Sequence, residues 1–297
     1  MVNPGASNRQ LTPLEPVVSQ IESAEALDSP AKAIGKAVRD NLGGGPLKDG
    51  LSGTWLGHPV HPMLTDVVIG SFTSASLLDL FADGAELASQ RLIALGLLAY
   101  VPTAAAGIND WADTEVVDDG IRRVGLIHAS CNAVAATLYA VSWRARRRGA
   151  RRTGAAFGLA GMTVMAAGGY LGGYLSMTKG VGPAQTVFDP GPTDWTPAAD
   201  VSGLAENRPL RAVVDDTPVL LLRAGESIFA IHDRCSHRGC SLSEGTVEGD
   251  EVVCGCHGSR FSLRNGAVRH GPATAAQPAF QVRVQDGRVE VRRLTAD

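Results

Sequence analysis

Four apolar stretches between Pro62 and Met177, separated by charged residues, set the pattern of this chain. The last, residues 153–178, carries no charge in 26 positions, and a helix needs only about 20 to cross a bilayer. Residues 124–143 hold His128 as their one strongly polar titratable group, and residues 92–109 hold no charge. Residues 62–82 are interrupted by Asp66 and Asp79, so this stretch needs neighbours to remain in lipid. The pattern predicts a four-helix transmembrane bundle over residues 58–178. Gly168, Gly169, Gly172 and Gly173 in the last helix form two overlapping Gly-xxx-Gly pairs, which allow close helix contact.

On either side of the bundle the pattern changes. Residues 1–57 are polar and punctuated by Pro and Gly, with no apolar core after a basic start, so no ordinary secretory signal is expected there. Val17, Val18, Ile21, Ala24 and Leu27, then Ile34, Val38 and Leu42, recur near a helical period broken at Ser29-Pro30. This predicts one or two short amphipathic helices on the surface or the membrane face, with a solvated tail as the alternative. Residues 179–192 are rich in Gly and Pro and are expected to form a semi-flexible linker. Over residues 193–297, apolar runs at 219–222, 228–231, 251–253 and 280–284 alternate with turns, and Asn265-Gly266 and Asp286-Gly287 are hairpin signals. The fold class is α+β and multidomain, with an antiparallel β-sandwich or small barrel after the bundle.

Charge then fixes orientation. Arg144, Arg146, Arg147, Arg148, Arg151 and Arg152 fall between the third and fourth helices. Asp110, Asp113, Glu115, Asp118 and Asp119 precede Arg122 and Arg123 between the second and third. An Arg-rich cytoplasmic loop puts both termini and the C-terminal domain on the external side of a cell membrane. Arg151-Arg152, ahead of Phe157, is either a loose twin-arginine export signal or an anchor for its loop. The net charge of -3 offers no basic footprint, which excludes nucleic acid as an expected partner.

The chemistry is concentrated in Cys235-Ser-His237-Arg-Gly-Cys240 and Cys254-Gly-Cys256-His257-Gly-Ser259. Each segment supplies one thiolate and one imidazole, with sixteen residues between His237 and Cys254. Soft sulfur and borderline nitrogen in equal number suit a 2Fe-2S cluster on which two His replace two Cys, and the neutral imidazoles raise its potential. A structural zinc site, or two plain disulfides with both His left over, are the other arrangements. His232 and His270 lack ligand spacing and are expected at the surface or as supporting donors.

These segments resemble the Rieske iron–sulfur family over roughly residues 193–294. The resemblance implies that Cys235 and Cys254 bind one iron and His237 and His257 the other. Cys240 and Cys256 stand where the subgroup of respiratory quinol-oxidising complexes carries a disulfide, and such a bridge belongs on an oxidising face of a membrane. Ser259 matches a Ser whose hydroxyl bonds a bridging sulfide, and Gly271-Pro272-Ala273 matches the loop on the cluster's third side. Arg238 replaces a usual apolar residue, Gly255 a usual Pro, and Phe261 a Tyr that bonds a ligand sulfur. With that bond missing, the resemblance implies a potential toward the middle of the Rieske range.

The membrane half has polar residues of its own. His58 and His61, in Gly57-His58-Pro-Val-His61-Pro62, stand at the mouth of the first helix, with Asp66 one turn on and His128 early in the third. Their common external level suits a haem b, a quinone site, or a hydrogen-bond cluster that holds the bundle. This half resembles a family of four-helix bacterial membrane proteins of unassigned function opening with the same His-Pro-x-His-Pro pattern. Together the readings describe a one-electron carrier in the lipid bilayer, with solvent-exposed His237 and His257, serving a redox partner protein or a quinone. Two alternatives stand beside it, a quinol-oxidising or haem-containing subunit and a redox sensor. Oxygenase catalysis is not expected, because the 40 residues after His257 contain one His, His270.

Overall fold

The computed structural model describes residues 14–294. The first thirteen residues of the polar segment and the last three of the C-terminal domain lie outside the described residues. The chain divides into two compact units. One comprises the described part of Met1–Arg39 with Val67–Val101 and Trp111–Lys179; the other comprises Asp40–Asp66, Pro102–Asp110 and the described part of Gly180–Asp297.

Among the described residues, seven α-helices precede the β domain: α1 (Glu15–Glu22), α2 (Asp28–Leu42), α3 (Pro46–Ser52), α4 (Val60–Phe81), α5 (Glu86–Thr114), α6 (Asp119–Arg147) and α7 (Arg151–Gly173), the last running into a π turn at Tyr174–Thr178. The four from α4 to α7 are long and apolar enough to span a membrane. The break expected at Ser29-Pro30 lies instead before Asp28, because Pro30 sits in the first turn of α2, where a missing N–H costs nothing.

The helices outrun their apolar stretches at the charged ends. Asp110, Asp113, Arg122 and Arg123, expected in a loop, are helical. Pairing explains this. Glu115, 1% exposed, accepts from Arg39 (2.7 Å) and from Arg122 (2.8 Å), and Asp28 accepts from Arg123 (2.9 Å). Asp118 caps α6 by accepting from the Ile121 N–H at 2.7 Å. The amphipathic helices α1 and α2 thus lie against this charged end. At the opposite end Arg146 donates to Asp79, the residue that weakened the first apolar stretch, with one bond of 2.8 Å. Their side chains are 3% and 6% exposed.

Glycines set how closely α7 approaches α6. A Cβ on Gly161 would lie 3.0 Å from the Tyr139 ring, on Gly168 2.6 Å from Asn132 Oδ1, and on Gly172 2.8 Å from the His128 ring. Gly169 and Gly173 face open space, so one of the two Gly-xxx-Gly pairs makes the contact. Tyr139, fully buried, stacks on Phe72 at 3.9 Å between centroids and bonds Ser76 at 2.9 Å.

The described residues of the β domain form ten strands: β1 (Thr196–Asp200), β2 (Leu210–Val214), β3 (Thr217–Ala224), β4 (Ser227–His232), β5 (Thr246–Glu248), β6 (Glu251–Val253), β7 (Arg260–Ser262), β8 (Val268–His270), β9 (Phe280–Gln285) and β10 (Arg288–Arg293). They form three antiparallel sheets in the orders β1-β10-β9, β2-β3-β4 and β5-β6-β7-β8. Strand β3 is buried on both faces. Its alternation sends Leu220 and Leu222 to a core with Ile231, Leu242 and Phe261, and Val219 and Leu221 to one with Val214 and Val289. Asp286-Gly287 makes the expected tight hairpin with φ of 50° and 77°. Asp215-Asp216 makes another, with φ of 47° and 68°, that the turn signals did not reveal.

The Gly- and Pro-rich stretch expected to act as a semi-flexible linker is laid on this domain. Gln185 N–H donates to Ser236 O at 2.9 Å, Arg238 donates to Gly180 O at 3.0 Å, and Asp189 pairs with His232 at 3.0 Å.

Candidate metal centre

Two loops at one end of the β domain share a hydrogen-bond design. In the loop after β4, the Gly239 N–H donates to Cys235 O at 2.8 Å; in the loop after β6, the Gly258 N–H donates to Cys254 O at 3.0 Å. Both glycines have left-handed φ, 79° and 76°, which an L side chain rarely adopts. Each turn is closed at its base, by Cys235 N–H to Cys240 O at 2.8 Å and by Cys254 N–H to Ser259 O at 2.9 Å. A disulfide between Cys240 and Cys256 staples the loops together. The bridge given by the resemblance is therefore present.

Two thiols remain, on Cys235 and Cys254, 1% and 2% exposed. They hydrogen-bond to each other. That bond, reinforced by burial, pushes the Cys235 thiol up, while the same bond and the backbone N–H groups of Cys256 and His257 hold Cys254 down. N–H groups of His237 and Arg238 are aimed in the same way at the Cys235 sulfur. The His237 and His257 rings stand 5.0 Å apart, nearly perpendicular. His237 Nδ1 is buried with no hydrogen-bond partner among the described residues. Burial foremost, then the neighbouring His257, Arg238 and Lys48, keeps that imidazole neutral, the state in which it can donate to a metal. Two touching thiols, sulfurs fed by backbone donors, and an orphaned imidazole nitrogen fit a 2Fe-2S centre with mixed sulfur and nitrogen ligation. Cys254 Sγ also lies within 4.8 Å of both disulfide sulfurs, but bonded sulfurs are not thiolates and add no ligand.

Contrary to expectation, His237 and His257 are not solvent-exposed; both are half-buried. Ser259, fully buried, accepts from the Ala273 N–H at 3.0 Å, which leaves its own proton free to point into the site. Pro272 is buried on that loop, and Ser236 ties the loop to the first one by donating to Ala275 O at 2.7 Å. Phe261 is fully buried in the core beneath and offers no hydroxyl. His232 is fully buried rather than at the surface, accepting from the Arg234 N–H and donating to Asp189.

The pattern gave no sign of what braces the Gly271-Pro272-Ala273 loop. Asp49 of α3 accepts from the Gly271 N–H at 2.8 Å and pairs with His270 Nδ1 at 2.9 Å, and Thr54 donates to Ala273 O at 3.3 Å. These contacts reach across about 220 residues of sequence, where no local motif can announce them.

The four membrane candidates have different local partners. His58 is exposed and bonds Pro59 O at 2.8 Å; Asp66 is exposed on α4. His61 bonds Thr103 O of α5 at 2.9 Å, and His128 bonds Gly168 O of α7 at 2.8 Å with Asn132 at 3.1 Å from its other nitrogen. Each of these two imidazoles clasps a different helix.

A β domain presenting paired Cys and His loops, on a chain with four membrane-length helices, defines the class of membrane-associated iron–sulfur electron-transfer proteins. The chain belongs to the Rieske iron–sulfur family: residues 194–282 match the Rieske [2Fe-2S] domain, and residues 57–185 match a predicted membrane protein family, DUF2231. The ferredoxin subunit of anthranilate 1,2-dioxygenase from Burkholderia cepacia is 36% identical over 98 residues, covering 33% of this chain and 91% of that protein. The ferredoxin subunit of 3-phenylpropionate/cinnamic acid dioxygenase from Escherichia coli (strain K12) is 38% identical over 92 residues, covering 30% and 85%. Among solved structures, the ferredoxin of carbazole 1,9a-dioxygenase from Nocardioides aromaticivorans IC177 is 28% identical over 34% of this chain and 98% of that one, with a TM-score of 0.32. The relatives are thus dioxygenase ferredoxins, whereas the disulfide is the feature that the resemblance ascribes to the respiratory subgroup.

Proposed function

We propose that Cys235 and Cys254 on one iron, with His237 and His257 on the other, hold the 2Fe-2S cluster, and that the chain carries single electrons to or from a redox partner protein at the external face of a membrane. The observation that carries the ligand set is the pair of matched loops, stapled by Cys240–Cys256, which leave two touching thiols and one orphaned imidazole nitrogen pointing inward. When bound, the cluster supplies a site that gains and loses one electron. The chain's own residues do the rest. Backbone N–H groups stabilise charge on the sulfurs, burial of Cys235 and Cys254 shields the thiol side from water, and the Ser259 hydroxyl is placed to donate to a sulfide.

The disulfide and the arginines near the α6–α7 turn both support an external β domain. The dioxygenase relatives favour a protein as the redox partner. Haem b and quinone are left out of the proposal.

Electron paramagnetic resonance of the dithionite-reduced full chain tests the ligand set. The expected signal is that of mixed nitrogen and sulfur ligation, lost in Cys235→Ser and His257→Ala; zinc in place of iron would end the proposal. Sidedness is tested by labelling the reduced Cys240 and Cys256 with a membrane-impermeant thiol reagent. Labelling in intact cells is expected, and labelling confined to inverted vesicles would reverse the orientation.

A further inference from the structure

The chain just ahead of α4 is folded back onto the start of that helix. A Cβ on Gly53 would stand 2.1 Å from His58 O and 2.9 Å from Val60 N, and the φ of 88° there suits a glycine. The next residue, Thr54, donates to Ala273 O at 3.3 Å, and the Ala273 N–H donates to Ser259 Oγ at 3.0 Å. One close backbone contact and two hydrogen bonds thus lead from Val60, the first residue of a membrane-length helix, to the buried serine of the metal centre. Beside them Asp49 accepts from the Gly271 N–H at 2.8 Å, and the Ser52 hydroxyl, buried, accepts from Asn109 of α5 at 2.9 Å. These ends of α4 and α5, residues 60–66 and 102–110, fall in the same compact unit as the β domain.

Depth follows from length. With 29 residues α5 is about 43 Å long, whereas a hydrocarbon core is only ~30 Å thick. Its charged last turns, with Asp110 and Asp113, therefore stand in the headgroup layer, and Ser52 is bonded to Asn109 at that level. The turn just after Ser52 presents Trp55, 70% exposed, and Leu56, 40% exposed. Tryptophan favours the boundary between lipid and water.

Resting on the cluster proposed above, we propose that Trp55 and Leu56 dip into the lipid headgroup layer and that the strap from Asp49 to Thr54 moors the metal centre at that depth. Lipid is the occupant because the same turn leads directly into a membrane helix, whose exposed Met63 continues the apolar surface. A redox partner then meets the centre at the bilayer surface and not in bulk solvent.

The full-length protein in phosphatidylcholine vesicles tests both halves. Fluorescence reads the anchor: Trp55→Phe is expected to lose part of the emission quenched by lipids brominated next to the headgroup. If it loses only emission quenched by iodide in bulk solvent, the anchor is overturned. Microwave power saturation of the reduced-cluster paramagnetic signal reads the depth. Ni(II) held on a chelating lipid headgroup is expected to relax the cluster more strongly than the same amount of Ni(II) in a soluble chelate, and Asp49→Ala/Thr54→Val to lose that difference. A soluble chelate that acts as strongly on the wild type, or a difference that survives in the double variant, overturns the mooring. Should the double variant lose its signal, Thr54→Val alone makes the same comparison. A wild-type protein without the signal removes the cluster assignment, a distinct failure, since the quenching of Trp55 does not depend on the cluster.

Discussion

Removing the disulfide separates two contributions to the stability of the cluster end. Cys240 and Cys256 are sixteen residues apart, and a cross-link of that span restricts the unfolded chain by about 3 kcal/mol. Cys256 is exposed, so a reductant reaches the bridge without unfolding the domain. In protein stripped of iron, the double change Cys240→Ser/Cys256→Ser should therefore cost about 3 kcal/mol. Amides of β3 and β4, which exchange only when the β domain opens, should lose about 100-fold in protection in a hydrogen-exchange experiment. Iron-loaded protein should respond less. With the proposed ligand set, the same two loops are already tied through Cys235, His237, Cys254 and His257, and the disulfide closes only short additional rings, which restrict little. Equal losses with and without the cluster, or no loss in the stripped protein, would refute the reasoning.

Other perturbations test the surroundings. Arg146→Met should destabilise the bundle by about 3–5 kcal/mol by leaving Asp79 buried alone, and adding Asp79→Leu should restore most of it, checked by a double-mutant cycle on thermal unfolding in detergent. Gly168→Ala should cost about 1–3 kcal/mol against Asn132, and Gly169→Ala little, by the same assay. Burial, partly opposed by Asp189, holds His232 below its ordinary 6.5, so the unfolded chain takes up a proton first as pH falls. Stability of the β domain should then be level above pH 6.5 and decline below it, and His232→Gln should flatten that decline in denaturant titrations.

The legible parts of this chain were those written over short distances. The apolar run of β3 at 219–222, the spacing of Cys235, His237, Cys254 and His257, and the four apolar stretches each carry their own signature. Helix ends were less legible, because Glu115 and Arg122 look like loop residues until their pairing with Arg39 of α2 and with each other is known. The same holds for Asp79, whose presence in an apolar stretch makes sense only beside Arg146. The glycines at 161 and 168 read alike in sequence to those at 169 and 173, and only packing tells contact from open space. Asp215-Asp216 lacks the glycine that marks most tight hairpins, and the burial of His232 depends on Asp189 in a stretch that looks like a tether.

Asp49, ahead of α4, and Gly271, after α7, are bonded to one another, so both must stand on one side of any bilayer that the helices between them traverse. Such a bond imposes parity: the chain must cross an even number of times between them, and four satisfies this whichever compartment is chosen. Loss or gain of a single crossing would strand the two partners in different compartments and leave the bond impossible to form. Nor can the bond form early in synthesis, since the nascent chain must complete every crossing and most of the β domain before Gly271 exists to receive Asp49.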